Sequence, residues 1–319
     1  MKKILVFKSD RIGDLINISP IIYNLKKNFP YSEITIVCSK YNSRIANYYP
    51  DLQNIVILDK SFLSFSYKYF KKLYLTKYDL LLQLDGKKNS YLCSVFVNSN
   101  IKAGLIFIKN KKILNNSNHI KRPNFIISKF FNYLEPCIED YQILNNKDYH
   151  YLSLYLNILK KINLTIYSKD HFLPFNDINN QKFIDYLHIH IDERWDNFDN
   201  FFYVNFINKI YELLNKNKIV ITSNIDGNKF YFKLKDEFNS NDNVLFKDNA
   251  SLKDLLNIIF YSQTVLSSHS GFIVHAAAAF KKKIIDLVPE NINNELDRWV
   301  PYNIRYKRYN NNNFLELLI

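Results

Sequence analysis

The stretch Ile4-Leu5-Val6-Phe7-Lys8-Ser9-Asp10-Arg11-Ile12-Gly13-Asp14-Leu15, next to the N-terminus, reads as a strand, a turn and the opening of a helix. Four apolar residues in a row, bounded by polar ones, suit a short strand buried on both faces. From Leu15 to Phe29 the apolar residues recur at spacings of three and four, which predicts one helix ended by Pro30. A strand whose exit loop opens a helix is the first half of a βαβ unit.

The same alternation continues outward. Strands are expected at Ile34–Val37, Asn54–Leu58, Leu80–Leu84 and Ile101–Phe107, with helices over about Phe62–Leu75 and Ser90–Val97. Residues 108–147 are polar and irregular and read as a loop region with short helices. A helix over Asp148–Ile162 is expected to bridge two domains, followed by a Pro174-bearing linker over His171–Gln181. Strands then return at Leu187–Ile191, Ile219–Thr222, Val244–Phe246, Thr264–Leu266 and Lys283–Val288. Helices separate them at Phe198–Leu214, Lys229–Phe238, Ser251–Tyr261 and Phe272–Ala279, and a polar break precedes a short terminal helix. The expected fold class is α/β, with Rossmann-like domains over residues 1–170 and 171–319 facing each other across a cleft. In such open sheets ligands bind at the carboxyl ends of the strands.

At 319 residues the chain suits about two domains. Its 47% hydrophobic content is enough for sizeable cores. The 43 Lys+Arg against 30 Asp+Glu give +13, an excess that favours anionic partners. The cations are scattered, however, and no arginine-rich helix or RNA-binding signature occurs, so nucleic acid is not the expected partner. Coding bias toward Lys, Asn, Ile, Phe and Tyr is a competing source of the charge. Cys38, Cys93 and Cys137 are far apart and lack CxxC spacing, which suits free thiols in a reducing, cytoplasmic compartment. The N-terminal apolar run is too short for a signal peptide, and no run of 18 apolar residues exists. Only 5 glycines occur where average usage would give about 22. Gly13, Gly86, Gly104, Gly227 and Gly271 all fall at turns or strand ends.

Two strand-to-helix loops carry chemistry. In Ser9-Asp10-Arg11-Ile12-Gly13-Asp14, free N–H groups and the helix dipole make an anion site, and Asp14 lies in the first helical turn. The same Asp is also what a helix N-terminus favours for capping alone. In Ser267-Ser268-His269-Ser270-Gly271-Phe272, small hydroxyl residues and a glycine suit a diphosphate cradle. His275 follows one turn on, and Ala276 to Ala279 allow close packing on the sheet. An ordinary serine-capped core helix is the competing reading.

These motifs resemble those of glycosyltransferase family 9, the lipopolysaccharide heptosyltransferase group. Ser9-Asp10-Arg11-Ile12-Gly13-Asp14 with Ser19-Pro20 is similar to the family's N-terminal signature. Lys77-Tyr78-Asp79-Leu80 through Asp85-Gly86 is similar to its Arg-Tyr-Asp strand, and Ile101-Lys102-Ala103-Gly104 to the strand after it. Ser268-His269-Ser270-Gly271 with His275-Ala276-Ala277-Ala278 is similar to its C-terminal Asp-Ser/Thr-Gly-x-x-His-x-Ala loop. The likeness spans about residues 2–288. It implies a GT-B fold and metal-independent, inverting transfer of a sugar from a nucleotide-sugar, with no cofactor. The resemblance makes Asp14 the catalytic base and places Asp10, Arg11 and Gly13 in the acceptor-side loop. It assigns Ser268, His269, Ser270, Gly271, Phe272 and His275 to the donor, and implies a glycan or lipid-linked acceptor in cell-envelope or surface-polysaccharide assembly.

The chain departs from the family twice. His269 stands where the family has an acid that contacts the donor sugar, and a His cannot accept two hydroxyl hydrogen bonds as a carboxylate does. A donor other than ADP-heptose is therefore expected. Glu193-Arg194-Trp195-Asp196 stands for the family's Lys-Arg-Trp-Pro, which leaves Arg194 to serve the phosphates. The rival reading is a non-catalytic nucleotide or glycan binding protein on the same fold. An NAD-dependent enzyme is disfavoured because no GxGxxG follows any strand.

Three further features have a structural reading beside a functional one. The aromatic, basic helix around Phe62, Phe65, Tyr69 and Phe70 suits either contact with an anionic inner membrane face or packing on its own sheet. His188-Ile189-His190 puts two imidazoles on one strand face but lacks a third metal ligand. Glu295 to Pro301 suits either donor contacts or a salt-bridged tail.

Overall fold

The computed structural model describes residues 1–58, 64, 67–108, 129–138, 150–175, 183–223, 228–289, 294–302, 304–310 and 313–316. The chain divides into two compact units, Met1–Asp170 and His171–Ile319. In the first, β1 (Lys3–Phe7) leads to α1 (Ile12–Asn17) and α2 (Ser19–Asn28), then β2 (Glu33–Cys38), α3 (Lys40–Ala46) and β3 (Leu52–Ile57). The short helix α4 (Phe70–Leu73) precedes β4 (Tyr78–Gln83), α5 (Lys88–Phe96), β5 (Ser99–Ile108), β6 (Tyr133–Ile138) and α6 (Tyr151–Lys161). The sheet order is β3-β2-β1-β4-β5-β6, and every neighbouring pair is parallel.

The second unit contains β7 (Tyr186–Ile191), a 3-10 turn at Glu193–Asn197, α7 (Asn200–Leu214), β8 (Lys218–Ser223), α8 (Lys229–Phe238) and β9 (Val244–Lys247). It continues with α9 (Leu252–Tyr261), β10 (Thr264–Ser267), α10 (Gly271–Ala279), β11 (Lys283–Leu287) and β12 (Tyr306–Tyr309). Its parallel sheet runs β12-β11-β10-β7-β8-β9. Each sheet is thus a doubly wound Rossmann type. The order reverses between β1 and β4 in one and between β7 and β10 in the other. A crevice at the carboxyl ends of those strands is where such sheets hold ligands.

The central strands explain this placement. Ile4, Leu5, Val6 and Phe7 of β1 are fully buried, as are Val265 and Leu266 of β10. Helices cover both faces of a parallel sheet, so its inner strands read as unbroken apolar runs. In the second unit Trp195 anchors the core against Phe198, Phe206 and Phe230, and its indole N–H donates to the His190 carbonyl at 2.9 Å.

The fold corrects several sequence expectations. The segment Leu15–Phe29 is two helices, because Pro20 has no N–H to continue the ladder and α2 restarts after Ile18. Within residues 108–147 the chain forms β6. Its Pro136 disguises the strand, yet β6 is an edge strand, where a missing N–H is tolerated. The helix expected to bridge the domains, α6, packs on β5 and β6 inside the first unit. The start of the expected linker is core: His171, Leu173 and Phe175 are buried in the second unit. Tyr306–Tyr309, unread in the sequence, supplies that unit's edge strand. Of the aromatic helix, the residues around α4 are described, while Phe62 and Phe65 lie outside the described residues, as does Gly227.

Candidate functional site

At the first reversal point the exits of β1 and β4 are tied together by buried charges. Asp85, fully buried, accepts from the Ser9 N–H at 2.7 Å, the Ser9 hydroxyl at 2.8 Å and the Ser90 hydroxyl at 2.9 Å. Its other oxygen takes the Lys87 N–H and the Gln83 amide, both at 3.0 Å. These bonds fix the backbone from which the Asp10–Asp14 loop departs. Lys8 is 1% exposed, and its ammonium reaches Asp10 at 2.9 Å, the Tyr155 hydroxyl at 2.8 Å and the Leu84 carbonyl at 3.2 Å. Burial opposes that charge, but Asp10, Tyr155 and Asp14 outweigh it and hold the ammonium above its ordinary range.

Asp14 sits in the first turn of α1, and one carboxylate oxygen accepts the Arg11 N–H at 3.0 Å. The capping reading of this residue is therefore realised. It does not exhaust the group. Burial is the largest influence and raises the carboxyl above the ordinary range against the pull of Lys8 and Arg11, with Asp10 adding to the rise. A carboxyl raised in this way is a stronger base than an ordinary carboxylate. Arg11 is exposed and Gly13 is buried in the same turn.

Beside this loop, at the carboxyl ends of β1 to β4, lies a cavity of about 830 Å³. Lys40, Arg44, Lys87 and Lys88 line it with Tyr41, Ser9 and Asn89, and no acid among the described residues does. Its size falls in the upper part of the usual range for small-molecule sites, roughly 300–1,000 Å³. Reading the residues in order misses this cluster, because its cations come from two distant segments, Lys40 and Arg44 of α3 and Lys87 and Lys88 at the start of α5.

At the second reversal point the turn 267–270 joins β10 to α10. Ser270 is the N-cap of α10 but makes no side-chain cap bond, so the helix presents free N–H groups. The hydroxyls of Ser267 and Ser268 are buried and have no partner among the described residues. His269 has φ 49°, in the left-handed region. Asp286 of β11, fully buried, holds it there. One carboxylate oxygen accepts the His269 N–H and the other contacts ring Nδ1, each at 2.5 Å. The Tyr306 hydroxyl donates to Asp286 as well, at 2.5 Å. Phe272 is partly exposed in the first turn of α10. His275 is buried one turn on, its ring stacked on His171 at 5.4 Å between centroids.

The remaining candidates have local partners. Arg194 pairs with Asp192 at 3.0 Å, which offsets the charge expected to serve phosphates. His188 and His190 both contact the Thr222 hydroxyl at 2.8 Å, and both are core residues. No group of three or more His, Cys, Asp or Glu among the described residues is arranged to hold a metal ion. Cys38, Cys93 and Cys137 are buried free thiols. In the 294–300 segment Asp297 pairs with Arg308 at 2.5 Å. No helix among the described residues is long and apolar enough to cross a membrane.

Together the two reversed sheets define a GT-B class fold, and comparison with solved structures bears this out. The structure of heptosyltransferase WaaC from E. coli with ADP matches with a TM-score of 0.72 at 12% identity, over 97% of this chain and 93% of that one. A glycosyl transferase family 9 structure from Veillonella parvula DSM 2008 gives 0.70 at 15% identity, over 99% and 88%. The UDP-GlcNAc 2-epimerase of Methanocaldococcus jannaschii gives 0.52 at 16%, over 99% and 90%. No protein-family model matches this chain, and no curated protein matches it. The resemblance to family 9 in the loop motifs thus recurs in the architecture.

Proposed function

We propose that this protein transfers a sugar from a nucleoside-diphosphate donor to a glycan or lipid-linked acceptor, with inversion and without a metal, in cell-envelope or surface-polysaccharide assembly. The observation that carries this reading is the place of Asp14 in a GT-B fold: in the first turn of α1, where β1 exits, with its carboxylate held by the Arg11 N–H at 3.0 Å. In the proposed step Asp14 takes the acceptor hydroxyl proton as that oxygen bonds to the anomeric carbon. The bond from that carbon to the phosphate oxygen breaks, and the diphosphate leaves with the electron pair. The open N-terminus of α10, with Ser268, Ser270, Gly271 and Phe272, would hold the departing anion. His275 and Arg194 complete the proposed donor set. The cationic cavity favours an acceptor on the first unit, beside Asp10, Arg11 and Gly13. We place this action in the cytoplasm, peripheral to the inner face of a membrane.

The test is a thermal-shift screen with ADP-, UDP-, GDP- and CMP-sugars, followed by a transfer assay on the donor that binds. Asp14→Asn should keep donor binding and lower kcat by about 10²–10⁴-fold. Unchanged turnover in that variant would remove Asp14 as the base. The substitutions at His269 and Glu193 favour the rival reading, a binding protein without turnover. Tight donor binding with no transfer to any acceptor would establish that rival.

A further inference from the structure

His269 carries more than a donor contact. Its ring is almost wholly enclosed, at 6% side-chain exposure, and Nδ1 is committed to Asp286. A carboxylate only accepts hydrogen bonds, so Nδ1 carries a proton and donates it. That leaves Nε2 as the reactive edge, and it has no partner among the described residues. The backbone is held at φ 49° by the second Asp286 oxygen, so ring and main chain are fixed by one acid. His269 stands one residue before the cap of α10, whose N–H groups are open, and one after Ser268, whose buried hydroxyl lacks a partner. An anion seated there answers both.

We propose that His269, oriented by Asp286, is the proton donor to the departing phosphate oxygen, doing for charge neutralisation what a metal ion would otherwise do. The inference rests on the glycosyltransferase reading. As the bond from the anomeric carbon to oxygen breaks, the electron pair goes to the phosphate oxygen, and Nε2–H of the imidazolium donates to it. The ring ends neutral and regains its proton from solvent, while Asp14 releases the acceptor proton to solvent. Asp286 is a positioning residue. It sets the tautomer and holds the ring and the backbone of His269 in one orientation.

The charged and titratable groups on this ring are few. Asp286 of β11 contacts it directly, Tyr306 of β12 donates to Asp286, and Arg308 donates to the Tyr306 oxygen at 3.1 Å. The other imidazoles of this unit are engaged elsewhere, His275 with His171 and both His188 and His190 with Thr222.

The experiment is calorimetric binding of inorganic pyrophosphate to the full chain between pH 8 and pH 6, compared with His269→Asn. Asn tolerates the left-handed region, and its amide N–H can replace Nδ1–H toward Asp286, so the variant keeps the fold but lacks Nε2. Relative to the variant, the native protein should gain affinity as pH falls, reaching about a tenfold advantage or more, the scale of a charge-assisted hydrogen bond. Asp286→Asn should lose that pH-dependent gain even where its melting temperature stays close to native. Equal affinity and parallel pH dependence in native protein and His269→Asn would overturn the proposal. Because pyrophosphate binding does not require transfer, this outcome is separable from failure of the Asp14 test.

Discussion

The imidazole pair on β7 makes the second unit sensitive to acid in a way that can be worked out. His190 is 1% exposed, and burial first, then the Arg194 charge, lower its pKa to about 3. The unfolded chain returns it to about 6.5. Below 6.5 the unfolded state binds a proton that the folded state refuses, so stability is present above that value and lost as pH falls toward 3. Between pH 7.5 and pH 5 the loss from His190 alone is about 2 kcal/mol. His188, driven well below its ordinary range by burial and by His190, acts in the same direction. Asp192 acts in the opposite direction. Burial raises it to about 6, so the folded state gains a proton first, which offsets about 1 kcal/mol over the same range.

Comparison with His190→Gln isolates the imidazole, since Gln does not titrate and retains an amide for the Thr222 hydroxyl. Both tryptophans, Trp195 and Trp299, lie in the second unit, so indole emission during urea denaturation reports that unit. On acidification the native midpoint should fall further than the variant's, by about 1 M urea for a slope of about 2 kcal/mol/M. Midpoints that move in parallel would show that His190 does not enter the pH dependence, and would refute the neutral-core assignment.

Two glycines predict contrasting outcomes. A Cβ on Gly104 would meet the Gln83 carbonyl oxygen at 2.7 Å and Gln83 Cβ at 2.8 Å, across the β4–β5 pair. Gly104→Ala should therefore lower stability by about 1–3 kcal/mol in a denaturant titration, through forced separation of two paired strands. A Cβ on Gly271 meets nothing within 4 Å, so Gly271→Ala should leave the melting temperature unchanged. If phosphate oxygens pack on that backbone, the same variant should weaken nucleoside-diphosphate binding. Unaltered affinity would place the donor elsewhere.

The alternation of apolar runs and periodic helices made the two α/β units legible, because parallel strands buried on both faces have an unmistakable pattern. Two of the four edge strands were the failures, while β3 and β9, also at edges, were read. β6 carries Pro136, and β12 reads Tyr306-Lys307-Arg308-Tyr309, neither of which resembles an inner strand. Such strands owe their existence to an already formed neighbour, Ile106 opposite Pro136 and Ile284 opposite Tyr306, and not to their own composition. The two site loops were visible in the residues, since Gly13 and Gly271 lie among small and charged side chains in a chain with only 5 glycines.

What supports those loops was not visible. Asp85, Asp286 and Lys8 each stand at or beside an apolar strand, and a lone charge there signals a buried partner without identifying it. The sequence by itself determined the strand-and-helix succession and the candidate Asp14 and Ser268–Phe272 loops. Only the tertiary structure joined His269 to Asp286 across 17 residues and Lys8 to Tyr155 across 147. The physical reason is that local periodicity fixes which faces are apolar, whereas the partner of a buried charge is chosen by which strand ends the sheet brings together.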